Sequence, residues 1–496
     1  MSLSGEARAI VVCSILERDV ATAARRLREA PAGCGLLEIR GDCLRAEEIA
    51  ALVRGSARPV VVSLRSAADG GRFEGSEEER GAGLRAALAA GARFVDVEWT
   101  SPQRRLVEQH GGERVILSHH GAACGRAELA AIYRELAATR AARLKLVPHA
   151  RSPGEIDAVR ETLAAARRDG RELACFAGGR AGALTRLLAP AWGSWASYGS
   201  AAWGQESAEG QFPAAELLEL YDVTAIGPAT RRFALIGAGV RASPSPAMHA
   251  AGYRAAGIDA RYFPLEADDL GELLPLLGPG GTLGLAGLAV TLPFKSAACA
   301  RCARLDPLAR ASGAVNTVLF GPGGWSGYNT DGPAALALVR DRFDVAGARV
   351  AIVGAGGTAR AIAASLAGAG GRVSLFARSI ERARQAAAAL GAAARPLDEL
   401  GRAEWDVLVQ ATPLGGRGER VLPAERLRGR LVLDAVYGVE TPLVRDARAR
   451  GLAAIDGFEL LLAQAVRQFE ILTGSPAAEA VLSRAGRAWL DSRAAP

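Results

Sequence analysis

The sequence predicts an α/β protein in two halves: a (β/α)8 TIM barrel, then a two-lobed half whose second lobe is a Rossmann dinucleotide-binding unit. Three observations carry this expectation. Short apolar runs alternate with Ala- and Arg-rich helical stretches up to residue 222. The rhythm changes across TAIGPATRR (224–232), and a Gly-rich turn sits between a strand-like run and a helix at 354–359. With 496 residues and 51.3 kDa, roughly three folding units are expected at about 150 residues each.

In chain order, the runs of the first half are AIVVC (9–13), LLEIR (36–40), VVVSLR (60–65), RFVDVEW (93–99), RVILSHH (114–120), RLKLV (143–147), ELACF (172–176) and WASYG (195–199). Eight near-equal units favour closure over an open doubly wound sheet, giving a barrel domain over 1–222. Their C-terminal ends collect polar residues: Glu38 and Arg40, Arg65, His119 and His120, and Lys145. A barrel places its active site at that rim. FALIGAG begins a new strand near residue 233, opening a first lobe over 231–335. RVAIVGAGGTARAIAASLAGAGGRVSLFARS (349–379) reads as strand, turn, helix and strand, placing the Rossmann lobe over 345–455. GFELLLAQAVRQFEILTG (457–474) has helical spacing, so 456–490 are expected as helices packing back on the first lobe.

Composition narrows the function classes. Half of the residues are hydrophobic and 23% charged, which favours a globular chain over disorder. The net charge of +7 comes from scattered arginine without a basic run, which argues against nucleic acid as partner. Lysine occurs only at Lys145 and Lys295, and each therefore invites a chemical reason. Seven dispersed cysteines do not form a disulfide framework, and the lone CxxC of Cys299 and Cys302 falls short of four metal ligands, so no metal is expected. MSLSGEARAIVVC lacks a signal-peptide pattern. No stretch reaches the ~20 apolar residues of a membrane span. A cytoplasmic enzyme without membrane partners is expected.

The residue types suggest two chemistries. An amine in a barrel mouth suits imine formation with a ketone, because partial burial disfavours the ammonium. His120, ending the preceding strand, is a candidate general acid–base. In the other half, the GAGGTA turn (Gly354, Gly356, Gly357, Thr358 and Ala359) is the expected cofactor cradle. Gly354 serves the tight turn, Gly356 the approach of a pyrophosphate, and the helix N-terminus its charge. The following strand ends LFARS without an acidic residue for ribose hydroxyls. Arg378, Ser379 and Arg382 instead offer contacts to a 2′-phosphate, so NADP is preferred over NAD.

EIRGD (38–42), LRSAADGG (64–71), VDVE (95–98), ILSHH (116–120), LKL (144–146), GALTR (182–186) and SAEGQ (207–211) resemble the ordered motifs of type I 3-dehydroquinate dehydratase. The resemblance implies dehydration of 3-dehydroquinate to 3-dehydroshikimate, with Lys145 forming the imine and His120 shuttling protons. It also implies that Arg186, Ser207 and Gln211 hold the ring carboxylate while Glu38, Arg40 and Arg65 contact ring hydroxyls. Asp69 falls where the family has the glutamate that orients the catalytic histidine, and Glu209 stands for the lid proline.

Residues 233–474 resemble shikimate dehydrogenase through SPSPAMH (243–249), GLAVTLPFK (287–295), GAVNTV (313–318), GYNTDG (327–332), QATPLG (410–415), DAVYG (434–438) and GFELLLAQ (457–464). Lys295 and Asp331 match its catalytic pair, Ser243 and Ser245 its carboxylate-binding hydroxyls, and Thr291, Asn316, Tyr437 and Gln464 further substrate contacts. Ala289, Gln410 and Ala242 depart from the family pattern, and YGVET is one residue shorter than the usual turn. Together the halves imply a bifunctional enzyme of consecutive shikimate-pathway steps, acting on 3-dehydroquinate, 3-dehydroshikimate and shikimate. The alternatives are a quinate dehydrogenase in the second half, or a non-catalytic sensor of these compounds. Sequence leaves the oligomeric state open.

Overall fold

The computed structural model describes residues 9–278 and 280–494, in two compact units divided between Thr230 and Arg231. All eight expected runs of the first unit are strands: β1 (Ile10–Ile15), β2 (Leu36–Arg40), β3 (Val60–Ser63), β4 (Phe94–Glu98), β5 (Val115–Ala123), β6 (Arg143–His149), β7 (Glu172–Cys175) and β8 (Ala196–Ser200). Each pairs in parallel with the next from β1 to β7, and β8 pairs with β1. Between β7 and β8 the Trp195 N–H donates to the Leu173 carbonyl at 3.2 Å, so the barrel nearly closes. The connecting helices bury an apolar stripe; Ile156, Val159, Leu163 and Ala166 of the helix Ile156–Arg168 are all buried at helical spacing. Fully burying each large aliphatic side chain contributes about 1.5–3 kcal/mol.

β5 extends beyond its expected end. Its register against β6 slips between His120 and Ala123, where Gly121 takes φ +82. This bulge bends the strand just after His120, which re-aims the rim of the barrel at the candidate acid–base.

The second unit has two sheets. β9 (Arg231–Gly237), β10 (Ala260–Glu266), β11 (Gly287–Val290), β12 (Arg304–Leu305), β13 (Thr317–Gly321) and β14 (Gly324–Tyr328) form a mixed sheet ordered β10-β9-β11-β13-β14-β12. β15 (Arg349–Val353), β16 (Arg372–Ala377), β17 (Ala393–Pro396), β18 (Val407–Gln410), β19 (Leu431–Asp434) and β20 (Ala453–Ile455) form an all-parallel sheet ordered β17-β16-β15-β18-β19-β20. The order reverses direction between β15 and β18, the switch point at which doubly wound sheets bind ligands.

The helices Gly457–Thr473 and Glu479–Ala494 pack against the helix Ser245–Ala255 of the first lobe. Contact there is close: a Cβ on Gly252 would fall 2.7 Å from the Phe469 ring. The lobes also meet through the helices Asp331–Arg340 and Gly357–Gly368, where a Cβ on Gly332 would fall 2.5 Å from the Ala361 carbonyl oxygen. Among the described residues no helix is long and apolar enough to cross a membrane.

Candidate active sites

In a (β/α)8 barrel, alternate strands contribute layers of inward side chains. Here the even-numbered strands supply Glu38, Asp96, Lys145 and Tyr198, all buried. Lys145 Nζ lies 2.8 Å from Asp96 Oδ2, 3.7 Å from Glu38 Oε1, and 4.3 Å from the centre of the Tyr198 ring. Ser14 and Ser63 donate to Glu38 at 2.5 and 3.1 Å, and Ser118 donates to Asp96 at 2.5 Å. Burial alone would raise the Glu38 carboxyl, but the charges of Lys145 and Arg40 and these hydrogen bonds hold it down at about 2.

His120 faces the same cavity. Its backbone N–H donates to Glu98 Oε1 at 2.9 Å, and its Nδ1 lies 2.7 Å from Glu98 Oε2. A carboxylate on Nδ1 fixes the tautomer that leaves Nε2 free as a base. Burial first, then the positive charge of Arg65, pulls the imidazole down to about 4, against the raising effect of Glu98. His120 is therefore neutral near pH 7.

Arg40, Arg65, Arg186, Ser207 and Gln211 line this cavity as well. Asp42 fixes Arg40 at 2.6 Å and also accepts the Arg65 and Arg72 backbone N–H groups. Arg65 Nε is buried without a protein partner, a group that a polar substrate would satisfy. Arg186 is 1% exposed and stacks over the Phe176 ring at 4.6 Å. The Ser207 N–H and hydroxyl both donate to Gln211 Oε1, at 2.8 and 3.2 Å, which fixes the lid turn.

Asp69 does not take the role expected of it. It lines the cavity, yet its Oδ2 accepts from Ser66 at 2.6 Å and from Arg80 at 3.3 Å. The short carboxylate is captured within its own turn, and Glu98 of β4 holds His120 instead.

The cavity of the second unit brings Lys295, Asp331, Ser243, Ser245, Thr291, Asn316, Tyr437 and Gln464 together. Lys295 donates to Asp331 Oδ2, and Asn316 donates to Oδ1 at 2.7 Å. Asp331 opens the helix Asp331–Arg340, whose N-terminal dipole favours a carboxylate. Ser243 donates to Ser245 at 3.1 Å, and both are buried. Tyr437 is 39% exposed at the mouth of the cavity.

Beside it, Gly354 has φ +122, and a Cβ there would fall 3.0 Å from Thr412. Around Gly356 nothing lies within 4 Å of a built Cβ, and no side chain caps the helix Gly357–Gly368. The open turn and uncapped amides fit a pyrophosphate. Arg378 and Arg382 are exposed beyond β16, with no ion pair among the described residues. Ser379 Oγ accepts the Arg382 backbone N–H at 3.4 Å. Ala359 is buried against the sheet. The Thr358 hydroxyl reaches Lys295 and Asp331. No group of three His, Cys, Asp or Glu is gathered for a metal among the described residues.

The type I 3-dehydroquinase family matches residues 11–228, the shikimate dehydrogenase substrate binding domain residues 235–318, and the shikimate/quinate 5-dehydrogenase family residues 337–417. The chloroplastic bifunctional 3-dehydroquinate dehydratase/shikimate dehydrogenase of Arabidopsis thaliana is 30% identical over 479 residues, spanning 90% of this chain and 78% of that protein. The chain belongs to the bifunctional 3-dehydroquinate dehydratase/shikimate dehydrogenase family. The NADP(+) shikimate dehydrogenase of Halorubrum lacusprofundi is 44% identical over 279 residues, 52% of this chain and 99% of that one. A structure of the Thermus thermophilus shikimate 5-dehydrogenase with NADP(H) and shikimate is 32% identical, with a TM-score of 0.47, over 52% of this chain and all of that one.

Sequence reasoning missed Asp96 and Glu98, although both lie in the VDVE run. The signal was there: carboxylates two apart on a strand face the same side, and on a barrel strand where they alternate with the buried Val95 and Val97 that side is the interior. Tyr198 carried no comparable signal, because a lone aromatic in a strand reads as core.

Proposed function

We propose that the two cavities run consecutive reactions: Lys145 dehydrates 3-dehydroquinate through an imine, and Lys295 with Asp331 reduces 3-dehydroshikimate to shikimate. The observation that carries this reading is that each of the chain's two lysines is paired with a carboxylate inside a separate cavity.

In the barrel, the Lys145 amine attacks the ring ketone, Asp96 being its nearest proton acceptor, and water leaves as the imine forms. The imine acidifies the adjacent C–H, and neutral His120 removes that proton. The same imidazolium then returns it to the departing hydroxyl, which leaves as water, and hydrolysis of the imine frees Lys145. Arg186 with Ser207 and Gln211 holds the ring carboxylate, its planar fork matching two oxygens. Glu38, Arg40 and Arg65 take the ring hydroxyls.

In the second unit, Ser243 and Ser245 hold the substrate carboxylate, while Thr291, Asn316, Tyr437 and Gln464 orient the ring. Lys295 stabilises the alkoxide developing on the carbonyl oxygen and supplies its proton, and Asp331 holds the ammonium in place. Gly354, Gly356 and Gly357 would seat the pyrophosphate of NADP, with Arg378, Ser379 and Arg382 at its 2′-phosphate. NADPH, when bound, supplies the hydride.

Adding 3-dehydroquinate and NADPH to the chain tests the sequence of steps, with NADPH consumption as the expected result. A flat trace with both 3-dehydroquinate and 3-dehydroshikimate refutes it. Both serines being present favours shikimate over quinate, and comparing oxidation of the two with NADP and NAD decides that point.

A further inference from the structure

We infer that Thr358 is a positioning residue for the reduction step, forming a three-membered cluster with Lys295 and Asp331. This rests on the assignment of those two residues as the reducing pair. Lys295 Nζ donates to Thr358 Oγ1 at 2.8 Å, and Thr358 Oγ1 donates to Asp331 Oδ2 at 3.0 Å. The hydroxyl thus accepts one hydrogen bond from the ammonium and donates another to the oxygen that Lys295 also contacts.

Counting donors shows the consequence. An ammonium has three N–H groups. Asp331 and Thr358 occupy two, which leaves one for a substrate oxygen and removes the freedom of the head group to swing between partners. Asp331 is held from both oxygens: Oδ1 accepts from Asn316, and Oδ2 from Lys295 and Thr358. A flexible lysine becomes a directed donor, the preorganisation that electrostatic catalysis requires.

The placement of Thr358 is built into the fold. Its helix begins at Gly357, where a Cβ would fall 3.1 Å from Lys295 Cβ and 3.1 Å from Ala314 Cβ. A side chain at Gly357 would press on both neighbours and push them back by a few tenths of an ångström, so glycine there favours the close approach of the first turn to the lysine. One turn further, Arg360 ties the same helix to the first lobe through the Ser312 carbonyl at 2.6 Å and the Ser296 hydroxyl at 2.7 Å. The turn that cradles the cofactor therefore also presents a hydroxyl to the reacting pair.

The test is reduction of 3-dehydroshikimate by full-length T358V, T358S and T358A. T358V keeps the shape and removes the hydroxyl. Its kcat is expected to fall about 10- to 100-fold, the size of a lost hydrogen bond to a charged group, while KM for NADPH stays within about twofold. T358S restores the hydroxyl and is expected to recover most of kcat. An unchanged kcat in T358V, or a raised KM for NADPH with kcat intact, overturns the inference; the second result makes Thr358 a cofactor contact. If T358V melts early, T358A is read by the same criteria. K295M, assayed alongside, separates the two levels. Full reduction by K295M refutes the pair itself, whereas its loss beside an active T358V refutes only the role of Thr358.

Discussion

Lys145 and Asp96 are 49 residues apart in the chain, yet their side chains meet at 2.8 Å inside the barrel. β5 lies between their strands, and its Ser118 donates to the other Asp96 oxygen at 2.5 Å. Asp96 is thus held on one side while it holds the lysine on the other. K145M is expected to lose at least about 1000-fold in dehydration while keeping reduction of 3-dehydroshikimate. D96N, which retains the shape but not the charge, is expected to lose about 10- to 100-fold. Borohydride trapping with 3-dehydroquinate, followed by peptide mapping, should mark Lys145 in the native chain and in D96N. A label elsewhere would remove the imine from this site.

With His120 as the base, the acid limb of dehydration is expected to follow its titration. Burial, and after it the Arg65 charge, lowers its pKa from the ordinary 6.5 to about 4. The base form is the neutral one, so activity should persist as pH falls through 6.5 and decline only near 4. The linkage runs in the same direction. The folded pKa lies below the unfolded one, so the stability contribution is complete above 6.5 and is lost as pH falls from there to about 4. E98Q removes the carboxylate that fixes Nδ1, and kcat should fall while the acid limb moves lower. An acid limb at 6.5 in the native chain contradicts this account.

The barrel was readable because its periodicity repeats eight times and several strand ends carry polar residues. The layer that surrounds Lys145 was not, because it depends on which strands alternate around a closed sheet. Glu38 and Asp96 become neighbours of Lys145 only once β2, β4 and β6 share a level. The Asp69 error has a similar root. Motif position placed a carboxylate near His120, but local bonds to Ser66 and Arg80 turned it aside. Thr358 was read from the glycine turn alone, and the partners of its hydroxyl, 27 and 63 residues away on another lobe, were not legible there.

His249 gives the second unit its own acid sensitivity. It is fully buried, stacked on Tyr262 at 4.2 Å with planes 4° apart, and burial pushes its pKa down to about 3. Burial disfavours the charged ring. Stability is therefore complete above the unfolded value of 6.5 and declines as pH falls from 6.5 towards 3, by an amount on the order of a few kcal/mol. H249F keeps an aromatic plane against Tyr262 and cannot protonate. Its melting temperature should vary less than that of the native chain between pH 7 and 4. Equal acid losses in both would exclude His249 as the source.

Cofactor choice should rest on Arg378. It is exposed beyond β16 and has no ion pair among the described residues, so its guanidinium is available to a phosphate. Paired hydrogen bonds from arginine to phosphate are charge-assisted, and losing them costs about 10- to 100-fold in affinity. R378A should therefore raise KM for NADPH by that factor and leave KM for NADH nearly unchanged. Because the group is exposed, added salt should shrink the difference between native and variant chains. Ser379 differs, since its hydroxyl also caps the next helix. S379A is expected to combine a smaller rise in KM with a loss of about 1 kcal/mol in stability. If R378A raises KM for NADPH and NADH equally, Arg378 contacts a part common to both cofactors and does not select between them.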